Sequence, residues 1–262
     1  MHPGSIPGEA SSRRVLLRWA TTVAGIRPLQ GGHDAEPRTM TLDFTALRTK
    51  MVDGQLRTTD VTDLAILDAV LAVPREEFVP SKLRPLAYID EDIEIAPAGS
   101  GPARYLMEPS PFARLVQLAE IAPSDLVLDV GCGTGYSPAI LSRIAASVIA
   151  LEEDAGLAEQ AQANLERLGY HGVAVVRGPL VAGYAAEAPY DVIMIEGSVE
   201  VVPTALFDQL KEGGRLVAVE GRGNAAVAKV YLKAGEAVSG RRAFNAAVRP
   251  LPGFEVVREF EF

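Results

Sequence analysis

Cysteine is all but absent from this 262-residue chain. Cys132 stands alone, so an intramolecular disulfide is impossible and a cysteine-built zinc site is excluded. Histidine is scarce: His2, His33 and His171 lie far apart in sequence, which leaves only carboxylate sites for a hard cation such as magnesium. Tryptophan is confined to Trp19, outside any candidate site. No run of about 18 apolar residues occurs, so no membrane span is expected. An excess of positive charge is missing as well. With 25 basic against 34 acidic residues, net -9, the chain has no general attraction for phosphate backbones or anionic lipid, so neither nucleic acid nor membrane is an expected partner. What remains is a sequence 48% hydrophobic, enough for one large core or two smaller ones and too apolar for a disordered protein.

The first 39 residues differ from the rest. Arg13, Arg14, Arg18, Arg27 and Arg38 outnumber Glu9, Asp34 and Glu36, and Gly, Pro and Ser are frequent, so a disordered or loosely packed tail is expected over 1–39. Paired arginines before apolar residues in SSRRVLLRWATTVAGI invite a targeting reading, but Arg18 interrupts the apolar stretch and no small-residue cleavage site follows. The favoured account is a natural start at Met40, with an over-extended gene upstream and a cytoplasmic product. A single domain is expected over 40–262, with a cap and substrate-loop region at 40–122 and a cofactor-binding sheet at 123–262.

Phe44, Leu47 and Met51, then Leu64, Leu67, Val70 and Leu71, recur at helical spacing and predict two helices broken around Gly54 and Thr58-Thr59-Asp60. Pro74 and Pro80 in VPREEFVP end the second. Ile89, Ile93 and Ile95 predict a short strand within 87–95, and after a Gly/Pro-rich turn a helix is entered at Pro111. From Pro123 onward strands and helices alternate. LVLDV, SVIALE, GVAVV, YDVIMIE and GRLVAVE are the strands; 136–146, 154–168 and 203–210 are the helices. Such alternation means a mostly parallel sheet with helices on both faces. VAKVYLKA and RRAFNAAVRPL predict a hairpin closing its edge.

In that architecture the first strand-helix turn, LVLDVGCGTGY, faces the ligand. A dinucleotide site wants G-x-G-x-x-G, but here glycine recurs at 131, 133 and 135, and Tyr136 stands where the third glycine would be. Asp129 just before the loop is a poor neighbour for a pyrophosphate and a good one for a cation. Glu152, ending the second strand, is placed to accept hydrogen bonds from two ribose hydroxyls. A ligand with a ribose, a positive centre and no phosphate fits both acids, and S-adenosylmethionine is such a ligand, its amino group pairing with Asp129. A tight turn with a surface acid is the competing account of the loop.

MVDGQL (51–56), VPREEFVP (73–80) and AYID (87–90) ahead of LDVGCGTGY, with KEGGRLV (211–217) after it, resemble the protein-L-isoaspartate O-methyltransferase family. The resemblance runs from about Leu42 to the C-terminus. It implies an α/β fold, the Rossmann-like S-adenosylmethionine-dependent methyltransferase sheet of seven mostly parallel strands with helices on both faces and an N-terminal helical cap. It also implies methyl transfer to the carboxylate of isoaspartyl residues in damaged proteins, a protein or peptide partner, and a monomer or weak dimer. The cofactor-binding candidates are then Asp129, Gly131, Cys132, Gly133, Thr134, Gly135, Tyr136, Glu152, Glu153, Gly178, Pro179 and Glu196. For Glu196 an exposed strand-end acid is an equal alternative; Cys132 reads as a small loop residue and His171 as a solvent-facing turn residue.

A carboxylate acceptor is ionised at pH 7 and needs no histidine base. Positioning alone is worth roughly 7 to 11 kcal/mol. Two places depart from the family pattern. Where its members carry Ser or Thr in a short I-S-x-P loop, this chain reads Leu106-Met107-Glu108-Pro109, which makes Met107, Glu108 and Pro109 the catalytic-loop candidates. A thioether donates no hydrogen bond, and Glu108, with Glu91, Asp92 and Glu94, sets like charge beside an acceptor carboxylate. The family's Gly-Asp-Gly reads Gly178-Pro179-Leu180, which removes an acid expected near the adenine. Three alternatives follow: a methyltransferase with another acceptor, a non-catalytic cofactor-binding or protein-interaction module of the same fold, and a pyridine-nucleotide oxidoreductase.

Overall fold

The protein is described from a computed structural model over residues 42–99 and 101–256. The expectations for the tail, the targeting segment and a start at Met40 lie outside the described residues. Helix α1 (Phe44–Met51) is started by Asp43, whose carboxylate accepts the Ala46 N–H at 3.0 Å. The helical path does not break at Gly54. It continues through a π turn at Val52–Leu56, whose wider spacing brings Met51 and Leu56 into the same core, and stops at Asp60 (φ 66°). Asp63 caps α2 (Leu64–Ala72) by accepting from Ala65 and Ile66 N–H at 2.8 and 3.3 Å, and Pro74 ends it.

The strand expected over 87–95 is shorter than its isoleucines imply. Ile89 sits exposed in a turn, and pairing begins only with β1 (Ile93–Ala96), which forms an antiparallel hairpin with β2 (Arg104–Leu106). Helix α3 (Pro109–Leu118) starts at Pro109 rather than Pro111. Both prolines lie in its first turn, where a missing N–H leaves no helical bond unmade.

The main sheet comprises β3 (Leu126–Val130), β4 (Ser147–Glu152), β5 (Val173–Arg177), β6 (Tyr190–Val199), β7 (Leu210–Glu220), β8 (Val227–Ala234) and β9 (Ala237–Asn245). Its order is β5-β4-β3-β6-β7-β8-β9, parallel through β7 and antiparallel for the closing β8–β9 hairpin. Helices α4 (Tyr136–Leu141), α5 (Ala155–Leu168) and α6 (Thr204–Asp208) make the crossovers. Helix α4 is shorter than the expected 136–146 because the chain must turn at once into β4. Arg143 and Ile144 N–H tighten onto Ile140 and Leu141 carbonyls, and Ala146 N–H reaches Asp125 O at 3.1 Å. Strand order reverses at β3, whose neighbours β4 and β6 lead away in opposite directions, so the crevice at its carboxyl end is the place for a ligand.

Two apolar layers flank the sheet. Val127 belongs to the layer shared with α1, α2 and α3, while Leu128 and Val130 belong to the opposite layer, as the two-residue strand period requires. Among the described residues no helix is long and apolar enough to cross a membrane.

Arg75, from VPREEFVP, ties the N-terminal elements to the sheet. It is fully buried; its Nε donates to Ala87 O at 2.8 Å, its Nη2 to Met107 O at 2.6 Å, and its guanidinium lies 4.8 Å from the Tyr136 ring centroid. Arg75→Met leaves two buried carbonyls without donors and removes the cation–π contact. Urea unfolding followed by circular dichroism should show a loss of about 3 kcal/mol or more.

Candidate active site

The loop between β3 and α4 holds Gly131, Gly133 and Gly135 at φ of 87°, 57° and 99°, all in the region that favours glycine. Gly135 also does the close-packing work for which a dinucleotide site uses its third glycine. A Cβ there would lie 3.3 Å from the Ala161 backbone of α5. Tyr136 is thereby free to be large. It is buried against Phe78 and Phe112, with centroids 5.7 and 5.6 Å away, beneath Arg75. Thr134 is buried too; its Oγ1 donates to Phe78 O at 2.6 Å and its carbonyl accepts from Asn164 at 3.0 Å. These two residues tie the loop to the N-terminal elements, while Gly131 and Gly133 lie under the side chains of Leu251 and Ile95.

Asp129 shares the Val127 face of β3 and is fully buried. Ser137 Oγ, from the first turn of α4, donates to its Oδ2 at 2.7 Å. Its carboxyl group lies beside that of Glu196, near the end of β6. Asp129 Oδ1 and Glu196 Oε1, both shut away from water, have no hydrogen-bond partner, so a buried and a half-buried acid meet across the strand switch. Burial pushes both carboxyl groups upward, with the charge of Glu152 adding to the effect at Asp129 and that of Asp129 adding to it at Glu196. A cationic group entering this point meets two carboxylate oxygens that lack a donor.

Glu152 is fully buried at the end of β4. Gly133 N–H bonds its Oε2 at 2.9 Å, and Glu153 and Asp154 N–H bond its Oε1 at 3.0 Å each. The guanidinium of Arg104, from β2, closes on both oxygens at 2.6 and 2.9 Å. Beyond it opens a cavity of about 460 Å³, lined by Arg104, Glu153, Asp154 and Arg177 among others. Glu153 and Pro179 are exposed, and Gly178 N–H bonds Glu152 O at 3.2 Å, so the turn after β5 packs against the end of β4. Cys132 is buried, and burial beside Asp129 and Glu152 pushes its thiol well up, as befits an inert loop residue. His171 is an exposed turn residue.

On the N-terminal side of the loop, Met107 is buried in the core, with its carbonyl held by Arg75. Glu108 is half-buried, and its N–H donates to Asp92 Oδ1 at 2.9 Å. Burial first, then the charges of Asp92, Asp90 and Glu91, pushes the Glu108 carboxyl up to about 7. Glu94 points outward on β1. Pro109 opens α3, and Ser110, the nearest hydroxyl in sequence, is committed to Thr59 Oγ1 at 2.8 Å. Arg249 reaches the same lip, 3.7 Å from Asp92 Oδ2 and 5.0 Å from the Tyr105 ring centroid.

Sequence reasoning overlooked Arg75, Arg104, Ser137, Asp90 and Arg249. Ser137 had a signal, a hydroxyl in the first turn after a strand-end acid. Arg75 and Asp90 lay within the quoted motifs VPREEFVP and AYID, while Arg104 and Arg249 had no signal, since their partners are remote in sequence. The site's chemistry fits a cationic adenosyl ligand: two neighbouring acids with unpartnered oxygens, and a carboxylate already receiving a two-pronged donor.

The family model of protein-L-isoaspartate(D-aspartate) O-methyltransferase matches residues 47–251. A Koribacter versatilis protein-L-isoaspartate O-methyltransferase is 43% identical over 174 residues, covering 66% of this chain and 76% of the relative. Among solved structures, a protein-L-isoaspartate O-methyltransferase superposes with TM-score 0.69 at 29% identity, over 79% of this chain and 66% of that one. A Plasmodium falciparum beta-aspartate methyltransferase, solved in complex with S-adenosyl-L-homocysteine, has the same fold, with TM-score 0.65 at 20% identity over 80% of this chain and 99% of that one. The chain therefore belongs to the protein-L-isoaspartate(D-aspartate) O-methyltransferase family and is an S-adenosylmethionine-dependent protein carboxyl O-methyltransferase.

Proposed function

We propose that the acceptor is the carboxylate of isoaspartyl residues in damaged proteins and peptides, and that the acids gathered at the strand switch hold the donor. The observation that carries the donor reading is the pair of acids beside the glycine loop, Asp129 and Glu196, each with a carboxylate oxygen shut from water and without a hydrogen-bond partner. S-adenosylmethionine, when bound, supplies a methyl group activated by a sulfonium. Asp129 takes its amino group, with Glu196 adding negative charge beside it. Glu152 accepts the ribose hydroxyls, Gly131 and Gly133 let the backbone come close, and Glu153, Gly178 and Pro179 border the adenosyl end.

The acceptor carboxylate is ionised at neutral pH, so the chain has to position it and keep like charge away. Met107, Glu108 and Pro109 form the acceptor shelf, its main chain fixed by Arg75. Met107 offers no donor there. Glu108, pushed up to about 7, stays protonated below that pH and is then a hydrogen-bond donor to the acceptor, the part that a hydroxyl plays elsewhere in the family. Arg249 adds positive charge at the same lip. A cytoplasmic monomer or weak dimer, working without nucleic acid or membrane, completes the reading, and the net charge of -9 supports it.

Radiolabelled S-adenosylmethionine, a synthetic isoaspartyl peptide and its aspartyl twin test the reading directly. Base-labile methyl ester should form on the isoaspartyl peptide alone. Equal label on both, or none while cofactor binding is verified, would assign the chain another acceptor. Asp129→Asn should weaken cofactor binding about tenfold in a calorimetric titration without changing the circular dichroism spectrum. With cofactor saturating, the acceptor KM should rise as pH climbs through about 7, because Glu108 then ionises beside a like charge. Glu108→Gln, neutral at every pH, should flatten that rise.

A further inference from the structure

Glu152 has no acceptor position to spare. Three of its bonds come from backbone N–H groups of Gly133, Glu153 and Asp154, and Arg104 takes the rest with Nη1 on Oε1 and Nη2 on Oε2. The ion pair is buried, the Arg104 side chain 10% exposed and the Glu152 side chain 0%. Arg104 Nη2 also reaches Gly131 O at 3.3 Å, which anchors the guanidinium over the glycine loop.

A guanidinium fork and the vicinal diol of a ribose present a carboxylate with the same pattern, two donors side by side for its two oxygens. The backbone donors serve Glu152 whichever of them is present. We propose that Arg104 is a built-in competitor for the ribose diol, and that cofactor loads only as the guanidinium withdraws from Glu152. This rests on the reading of Glu152 as the ribose acceptor. The cavity of about 460 Å³ beside the pair gives the side chain somewhere to go, since exposed acids Glu153 and Asp154 line it together with Arg104. Arg104 also begins β2, the strand that leads into Met107, and it pairs with Ala96 next to Ile95, whose side chain covers Gly133. Withdrawal therefore loosens the hairpin over the glycine loop and shifts the strand that carries the acceptor shelf. Arg104 sets cofactor affinity and links loading to acceptor placement.

The test is calorimetric titration of S-adenosylhomocysteine, and of its 2′-deoxyribose analogue, into the full chain and into Arg104→Ala and Arg104→Gln. Removing the competitor should tighten S-adenosylhomocysteine binding by about tenfold or more. The gain should shrink for the deoxy analogue, which lacks half of the diol. Melting of the ligand-free variants should come at lower temperature, as loss of a buried ion pair requires. Should either variant fail to fold, Arg104→Lys keeps the charge without the two-donor fork and is expected to bind more tightly than the parent by a smaller factor. Equal or weaker binding by folded variants would overturn the proposal and make Arg104 a bystander or a ligand contact. If neither the folded parent nor the variants bind S-adenosylhomocysteine, the reading of Glu152 as ribose acceptor fails, and the competitor role fails with it.

Discussion

A carboxylate shut away from water has to be answered by donors, and the arrangement of this active site follows from how Glu152 is answered. Backbone N–H groups from the glycine loop and from the turn into α5 converge on it, which fixes the ends of β3 and β4 relative to each other. Arg104 supplies the remaining charge from the β1–β2 hairpin, so an element far outside the main sheet in sequence is drawn over the nucleotide loop. The same requirement that stabilises the fold also places a guanidinium on the carboxylate that we propose as the ribose acceptor.

Asp129 and Glu196 meet the same physical demand in another way. Each keeps one carboxylate oxygen without a hydrogen-bond partner, and burial pushes both carboxyl groups upward. Arg75 does for the N-terminal elements what Glu152 does for the sheet. By bonding two main-chain carbonyls and lying over Tyr136, it ties the segments at Ala87 and Met107 to the first turn of α4, beside the glycine loop. The N-terminal elements and the sheet are thus held together through buried charged groups, with the apolar layers filling around them. The lip at Glu108 differs in kind: there burial, with the charges of Asp92, Asp90 and Glu91 adding to it, pushes the Glu108 carboxyl up to about 7.

The strands and crossover helices of the sheet were legible because their signals are local. Apolar runs of strand length alternate with helical repeats, and β3, β4, β5 and β6 lie where those runs predict. The glycine spacing and its flanking acids likewise pointed to a cationic adenosyl ligand before any contact was known. Local signals failed where tertiary packing decided. Gly54 is carried through by a π turn because Met51 and Leu56 share a core, Ile89 is left out of its strand, and α3 opens at Pro109.

Periodicity by itself determined the class of fold and the place of the glycine loop after the first strand, and the spacing of short motifs carried the resemblance to the family, since each depends on residues close together in the chain. Only the tertiary structure decided what those acids bond to. Arg104 and Glu152 are separated by nearly fifty residues, Asp129 and Glu196 lie on strands made neighbours by sheet order, and Arg75 reaches Met107 from another element. Charge interactions of this kind are set by distance and burial in space, and neither quantity is encoded in the spacing of residues along the chain.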